Sequence, residues 1–96
     1  MDKIRIEILY FAELRKITKK ENEFFELSNG TLEELLNLIF KEYEDLQNLI
    51  WDEKTQKIHN LISLIINNQA IHEKDPSSIH LNNKDTIAFL LPVPGG

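Results

Sequence analysis

The residues with the clearest chemical use are the last five, Pro92-Val93-Pro94-Gly95-Gly96. They follow an apolar run, Thr86-Ile87-Ala88-Phe89-Leu90-Leu91, that reads as a strand. Proline fixes φ and lacks a donor, so Pro92 and Pro94 end sheet pairing and keep the segment extended. At about 3.1 Å per residue, the five residues after Leu91 reach roughly 15 Å past the sheet. Gly95 and Gly96 carry no Cβ, so the end is thin and its carbonyl carbon is unhindered. Two of the three glycines in the chain are spent here. Such an end suits covalent chemistry at the terminal carboxylate, performed in another protein's active site. A plain frayed terminus is the competing reading.

No other chemistry competes with it. His59, His72 and His80 lack any metal-ligand spacing, so no metal site is expected. Ser63, Ser77 and Ser78 have no nucleophile elbow, and no glycine loop is present to cradle phosphate. With no cysteine, the chain has no disulfide, thiolate ligand or thiol nucleophile, which fits the cytoplasm. A net charge of −5 and scattered Lys and Arg argue against nucleic acid and anionic membranes as partners. No apolar run approaches the roughly 20 residues of a membrane span, and the first residues read as strand and not as a signal peptide.

The elements that must hold the tail follow from periodicity. Over Lys3 to Phe11, Ile4, Ile6, Ile8 and Tyr10 share one face, and Arg5, Glu7, Leu9 and Phe11 share the other. Ala12 to Ile17 reads as a short helical turn, and Glu23 to Leu27 as a second strand pairing with the first. Ser28-Asn29-Gly30 is a turn, and Thr31-x-x-Glu34 is a capping box opening a helix. On that helix Leu32, Leu35, Leu36, Ile39, Phe40 and Tyr43 form one apolar stripe, with Glu33 and Glu34 in a solvated first turn. Glu44 to Asn60 reads as a helical turn followed by an exposed loop over residues 52–57. Leu61 to Ile66 is a strand, Asn67-Asn68-Gln69 a tight turn, and Ala70-Ile71 a short strand. Residues 72–84 are mostly irregular.

The expected fold is therefore α+β, with one main helix packed across a mixed sheet of four to five strands. This is the β-grasp, or ubiquitin-like, arrangement. It spans residues 1–96 as one domain, with 92–96 as its tail. Ile4, Ile6, Ile8, Leu35, Leu36, Ile39, Leu64, Ile66, Ile87 and Phe89 are its predicted core. Alternation sends Leu9, Phe11, Ala88 and Leu90 to the outer face. If the first and last strands are neighbours, these four form an apolar patch at the base of the tail, with Ala70 at its border. Clustered apolar residues of this kind mark a partner interface.

Three segments carry a resemblance: Leu9-Tyr10-Phe11-Ala12-Glu13-Leu14-Arg15, Ile66-Asn67-Asn68-Gln69, and Asp85 through Gly96. Together they resemble the MoaD/ThiS family of small sulfur carriers, most of all the small subunits of molybdopterin synthase. Asn68 and Lys84 stand where that family often has a turn glycine. The resemblance implies a non-catalytic, sulfur-carrying subunit that binds no cofactor itself. An E1-like adenylating enzyme (MoeB-like) would use ATP to convert the Gly96 carboxylate to an acyl-adenylate. A sulfur donor protein would turn that into a thiocarboxylate, and the tail would deliver sulfur inside the large synthase subunit (MoaE-like) as the dithiolene of molybdopterin forms. By the same resemblance, Gly96 is the carrier, Gly95 its slender approach, and Phe11, Ala70 and Leu90 lie where partners dock. A ubiquitin-like modifier joined to lysines through Gly96, a thiamine-pathway carrier, and a β-grasp interaction module with an idle tail remain alternatives.

Overall fold

Strand β1, Ile4–Leu9, is the hinge of the architecture because it pairs on both sides. The structure, a computed structural model, describes residues 3–92. β1 runs antiparallel to β2, Asn22–Leu27, in a register from Ile4 opposite Leu27 to Leu9 opposite Asn22. A short helix α1, Glu13–Thr18, lies between these two strands in sequence. Helix α2, Leu32–Glu42, follows, then α3, Glu44–Ile50, and a two-rung hairpin of β3, Trp51–Asp52, with β4, Lys57–Ile58. Strands β5, Ser63–Ile66, and β6, Gln69–Ile71, form a second hairpin, and β7, Thr86–Leu90, closes the chain order. The main sheet has the order β2-β1-β7-β5-β6. The parallel β1–β7 pair makes it mixed and puts the last strand at its centre.

One side of the sheet is the core. Ile6, Ile8 and Tyr10 from the first strand and its exit, Leu64 from β5, and Ile87 and Phe89 from β7 are buried there. Against them α2 lays Leu32, Leu35, Leu36 and Ile39, the stripe read from the sequence. Ile4 and Ile66, also predicted core, are half-buried, because each lies near a strand end where the helix no longer covers the sheet. Between Glu44 and Asn60 there is more structure than a turn and a loop. α3 buries Leu46 and Ile50, and the β3–β4 hairpin places Ile58 in the core. Trp51 sets its edge against Phe40, ring centroids 6.3 Å apart. Its two strands are only two residues each, too short for a period-2 pattern to register.

The start of α2 is held by its capping residues in an unexpected division of labour. Thr31 Oγ1 accepts the Glu34 amide at 3.2 Å, as a capping box requires. The Glu34 carboxylate, however, passes Thr31 and accepts the amides of Ser28, Asn29 and Gly30 at 2.8, 2.8 and 3.1 Å. Gly30 is at φ 71°, and its carbonyl accepts the Leu81 amide, so this turn ties the helix to the segment before β7. Desolvation works to raise the Glu34 pKa, but the three backbone donors outweigh it and hold it below the ordinary 4.5. A depressed folded-state pKa means stabilisation present above the unfolded value and lost as pH falls through the folded one. Glu34→Gln should therefore cost about 1–2 kcal/mol at neutral pH, from weaker hydrogen bonds to a neutral acceptor. The gap between variant and parent should narrow as pH falls below the ordinary carboxylate range and through the lowered folded-state pKa, as the parent's own carboxylate protonates. Denaturant melts across pH 3 to 7 measure it; a gap independent of pH would show that the carboxylate charge is not what braces the turn.

Candidate functional site

The outer face of the sheet is organised by the register. Leu9 lies opposite Ala88, Ala88 opposite Ile65, and Ile65 opposite Ala70, so these four form one row across β1, β7, β5 and β6. Directly opposed residues point to the same face. Leu90, two residues along β7 and opposite Ser63, continues the apolar surface toward the tail. Phe11, just past β1, joins it from the side. The result is a shallow hollow of about 350 Å³ lined by Leu9, Phe11, Ile65, Asn68, Thr86, Ala88 and Leu90.

The expected residues do not all stand alike. Phe11 is 41% exposed and Leu90 37%, as outward-facing positions should be. Leu9 is half-buried. Ala88, expected to be exposed, is buried at 6%. The reason is its place on a central strand, where the larger flanking side chains of Leu9 and Ile65 rise over its methyl group. It is the floor of the hollow and not its rim. Ala70 is exposed on edge strand β6 and extends the row beyond the hollow without lining it. Ile65 joins the lining although alternation does not single it out. It sits in a run, Leu61 to Ile66, where both faces are largely apolar, and only Ser63 at the same parity hinted which side faced out.

Pro92 is the last residue described, exposed immediately after Leu91, which packs half-buried against the core. Val93, Pro94, Gly95 and Gly96, the proposed approach and carrier, lie outside the described residues. The sequence thus enters its Pro-x-Pro-Gly-Gly ending directly from the strand that carries Ala88 and Leu90.

Beneath Phe11 the first strand is anchored by polar side chains. Tyr10 is wholly buried, and its hydroxyl donates to Glu23 Oε1 at 2.8 Å. The Tyr43 hydroxyl donates to the same oxygen at 3.0 Å, and Lys20 Nζ donates to Oε2 at 3.0 Å. Burial, then Glu23, pushes the Tyr10 hydroxyl well above the usual phenol range, so it stays a donor. Burial also acts to raise Glu23, but its three donors outweigh that and hold it ionised below its ordinary range. This group is a brace for β1, β2 and the end of α2; every polar atom in it is already engaged. At the other end of β7, Asp85 Oδ1 accepts from Asn67 Nδ2 and Asp85 Oδ2 from the Asn82 amide, while Asn67 Oδ1 accepts the Thr86 amide. These bonds fix where β7 enters the sheet, and so the register that aligns Leu9, Ala88 and Ile65. Among the described residues no cluster of His, Asp and Glu could hold a metal ion, and no helix is long and apolar enough to cross a membrane.

A five-stranded mixed sheet with its last strand at the centre and one main helix across it defines a ubiquitin-like β-grasp protein. The chain belongs to the ThiS family, a family of ubiquitin-fold sulfur carriers, whose model matches residues 8–96. Among solved structures it is similar to the small archaeal modifier protein 1 of Methanosarcina acetivorans, at 23% identity and a TM-score of 0.79, with all of both chains covered. It is also similar to Urm1 of Trypanosoma brucei, at 18% identity and 0.73, covering 100% of this chain and 99% of that one. A third similarity is to a chain in the complex of subunits 1 and 2 of molybdopterin-converting factor from Helicobacter pylori, at 27% identity and 0.59, covering 97% and 100%. A search of the curated proteins found no significant match.

Proposed function

We propose that this chain is the sulfur-carrying small subunit of molybdopterin synthase, with the Gly96 carboxylate as the carrier. The observation that carries the reading is the juxtaposition on β7: Ala88 and Leu90 build an apolar docking hollow, and the same strand runs directly into the Pro-x-Pro-Gly-Gly segment. A partner seated on Leu9, Phe11, Ile65 and Leu90 would receive the tail at the edge of its own surface, with Ala70 within reach on β6. The 27% identity over nearly the whole chain to a protein solved within a molybdopterin-converting factor complex supports the pathway.

The chemistry divides cleanly between chain and partners. An E1-like adenylating enzyme transfers the adenylyl group of ATP to a carboxylate oxygen of Gly96 and releases pyrophosphate. Sulfide-level sulfur from a donor protein then attacks the activated carbonyl carbon and displaces AMP, leaving a thiocarboxylate. The tail next enters the large synthase subunit, where the thiocarboxylate sulfur bonds to the pterin precursor and water then breaks the C–S bond to Gly96, leaving the sulfur on the pterin and restoring the carboxylate. In this reading the chain contributes reach, slenderness and docking; Glu23, Tyr10 and Tyr43 are committed to structure.

The test is intact-mass measurement after incubation with an E1-like enzyme, ATP and a sulfur donor, followed by addition of the large synthase subunit and pterin precursor. The expected result is a species heavier by exchange of one oxygen for sulfur, which reverts as molybdopterin appears. A thiocarboxylate that the synthase leaves untouched, with the chain instead attached to target lysines, would replace this reading with that of a protein modifier.

A further inference from the structure

Ala12 occupies a backbone conformation suited to glycine. Its φ and ψ are 50° and −121°. The Leu14 amide donates to the Phe11 carbonyl at 3.0 Å, which closes a four-residue turn with Ala12 at its first central position. These are the angles of a type II′ turn, where glycine is the preferred residue because a Cβ crowds the neighbouring backbone. An L-residue persists there only where its surroundings over-determine it. Here both flanks are pinned. Tyr10 is wholly buried with its hydroxyl on Glu23, and its amide donates to the Glu21 carbonyl at 2.9 Å. Leu14 is equally buried, and the Lys16 amide donates to the Ala12 carbonyl at 3.2 Å to begin α1. Between these anchors the chain must leave β1, throw Phe11 to the outer face, and enter a helix.

A glycine would make the same turn with less strain. It would also leave the Phe11–Ala12 link free to rotate through conformations that a Cβ forbids. We infer that Ala12 is a positioning residue: its methyl group confines the Phe11–Leu14 turn to one geometry and so presets the Phe11 ring for the partner that docks on the hollow. This rests on the docking surface proposed above. Preorganisation raises affinity by removing ordering costs at the moment of binding, while the strain of the turn is present in free and bound protein alike and so does not count against the complex.

Stability and affinity should therefore move in opposite directions, which a merely structural residue would not produce. Ala12→Gly is expected to raise the Tm by about 4–8 °C and to weaken binding to the E1-like enzyme by about 3- to 10-fold. Ala12→Ser keeps a Cβ and the same restriction, so it should bind within about 2-fold of the parent. Titration of the full-length proteins against that enzyme, beside thermal melts, reads both quantities. The inference is overturned if Ala12→Gly lowers the Tm, if it binds as tightly as the parent, or if Ala12→Ser loses as much affinity as Ala12→Gly. Phe11→Ala is the arm that separates the two proposals. Should it weaken binding while Ala12→Gly does not, this inference alone fails; should Phe11→Ala also bind normally, the docking surface fails with it.

Discussion

Deleting Gly96, or adding one residue after it, is expected to abolish thiocarboxylate formation while leaving the fold unchanged. Among the described residues the buried core runs from Ile6 to Phe89, and chain ends generally add little to stability, so the Tm should stay within about 1 °C. Chemistry is far less forgiving. On the proposed function, adenylation would need the carboxylate oxygen in line with the α-phosphate of ATP, held by a partner that measures its distance from the docking hollow. One residue added or removed shifts the reacting carbon by about 3 Å, and a misplacement of about 1 Å can already cost on the order of 100-fold. Gly95→Val should do comparable harm with Gly96 still in place, because a branched side chain widens the segment that must enter a narrow channel. Intact-mass measurement distinguishes the outcomes directly. Sulfur-loaded protein in the extended variant would mean that Gly96 is not the carrier, whatever the fate of the other two.

Most of what positions that chemistry could be read in advance, and the exceptions have physical causes. Alternation along Ile4 to Tyr10 and the Thr31-x-x-Glu34 cap are local patterns, and they located β1 and α2 correctly. That the first and last strands lie side by side rested on the β-grasp reading and not on a local pattern, and the parallel β1–β7 pair bears it out. The brace beneath Phe11 could not be read, because Tyr10 and Tyr43 meet Glu23 across 13 and 20 residues of chain and no spacing rule joins them. Alternation also says which way a side chain points but not how tall its neighbours are, which is why Ala88 was placed on the surface and is in fact covered. Ala12 concealed itself differently. Its residue type signals helix, and only the anchors on either side force it to positive φ. Asn68 and Lys84, at φ 68° and 74°, do the work that the resemblance associates with glycine: Asn68 completes the β5–β6 turn and Lys84 the approach to β7.

Phe11→Asp and Leu90→Asp should each weaken binding to the E1-like enzyme and to the large synthase subunit by about 100-fold or more. Both side chains are more than a third exposed, so a carboxylate there remains hydrated in the free protein and the fold loses little. On docking, that carboxylate must give up its water to the apolar hollow around Leu9, Ile65 and Ala88, none of whose described lining residues is positively charged. A loss of 100-fold corresponds to about 2.7 kcal/mol, well inside the cost of burying an unpaired charge. Replaced apolar area adds to it, since burying a Phe or Leu is worth roughly 1.5–3 kcal/mol. Leu61→Asp is the control. Leu61 is 61% exposed and lies outside the hollow, so the same charge there should leave both affinities within about 2-fold. Equal losses in all three variants would point to net charge and not to this surface. Unchanged affinity for both partners in Phe11→Asp and Leu90→Asp would detach the hollow from the tail, and the partner would have to find Gly96 by some other route.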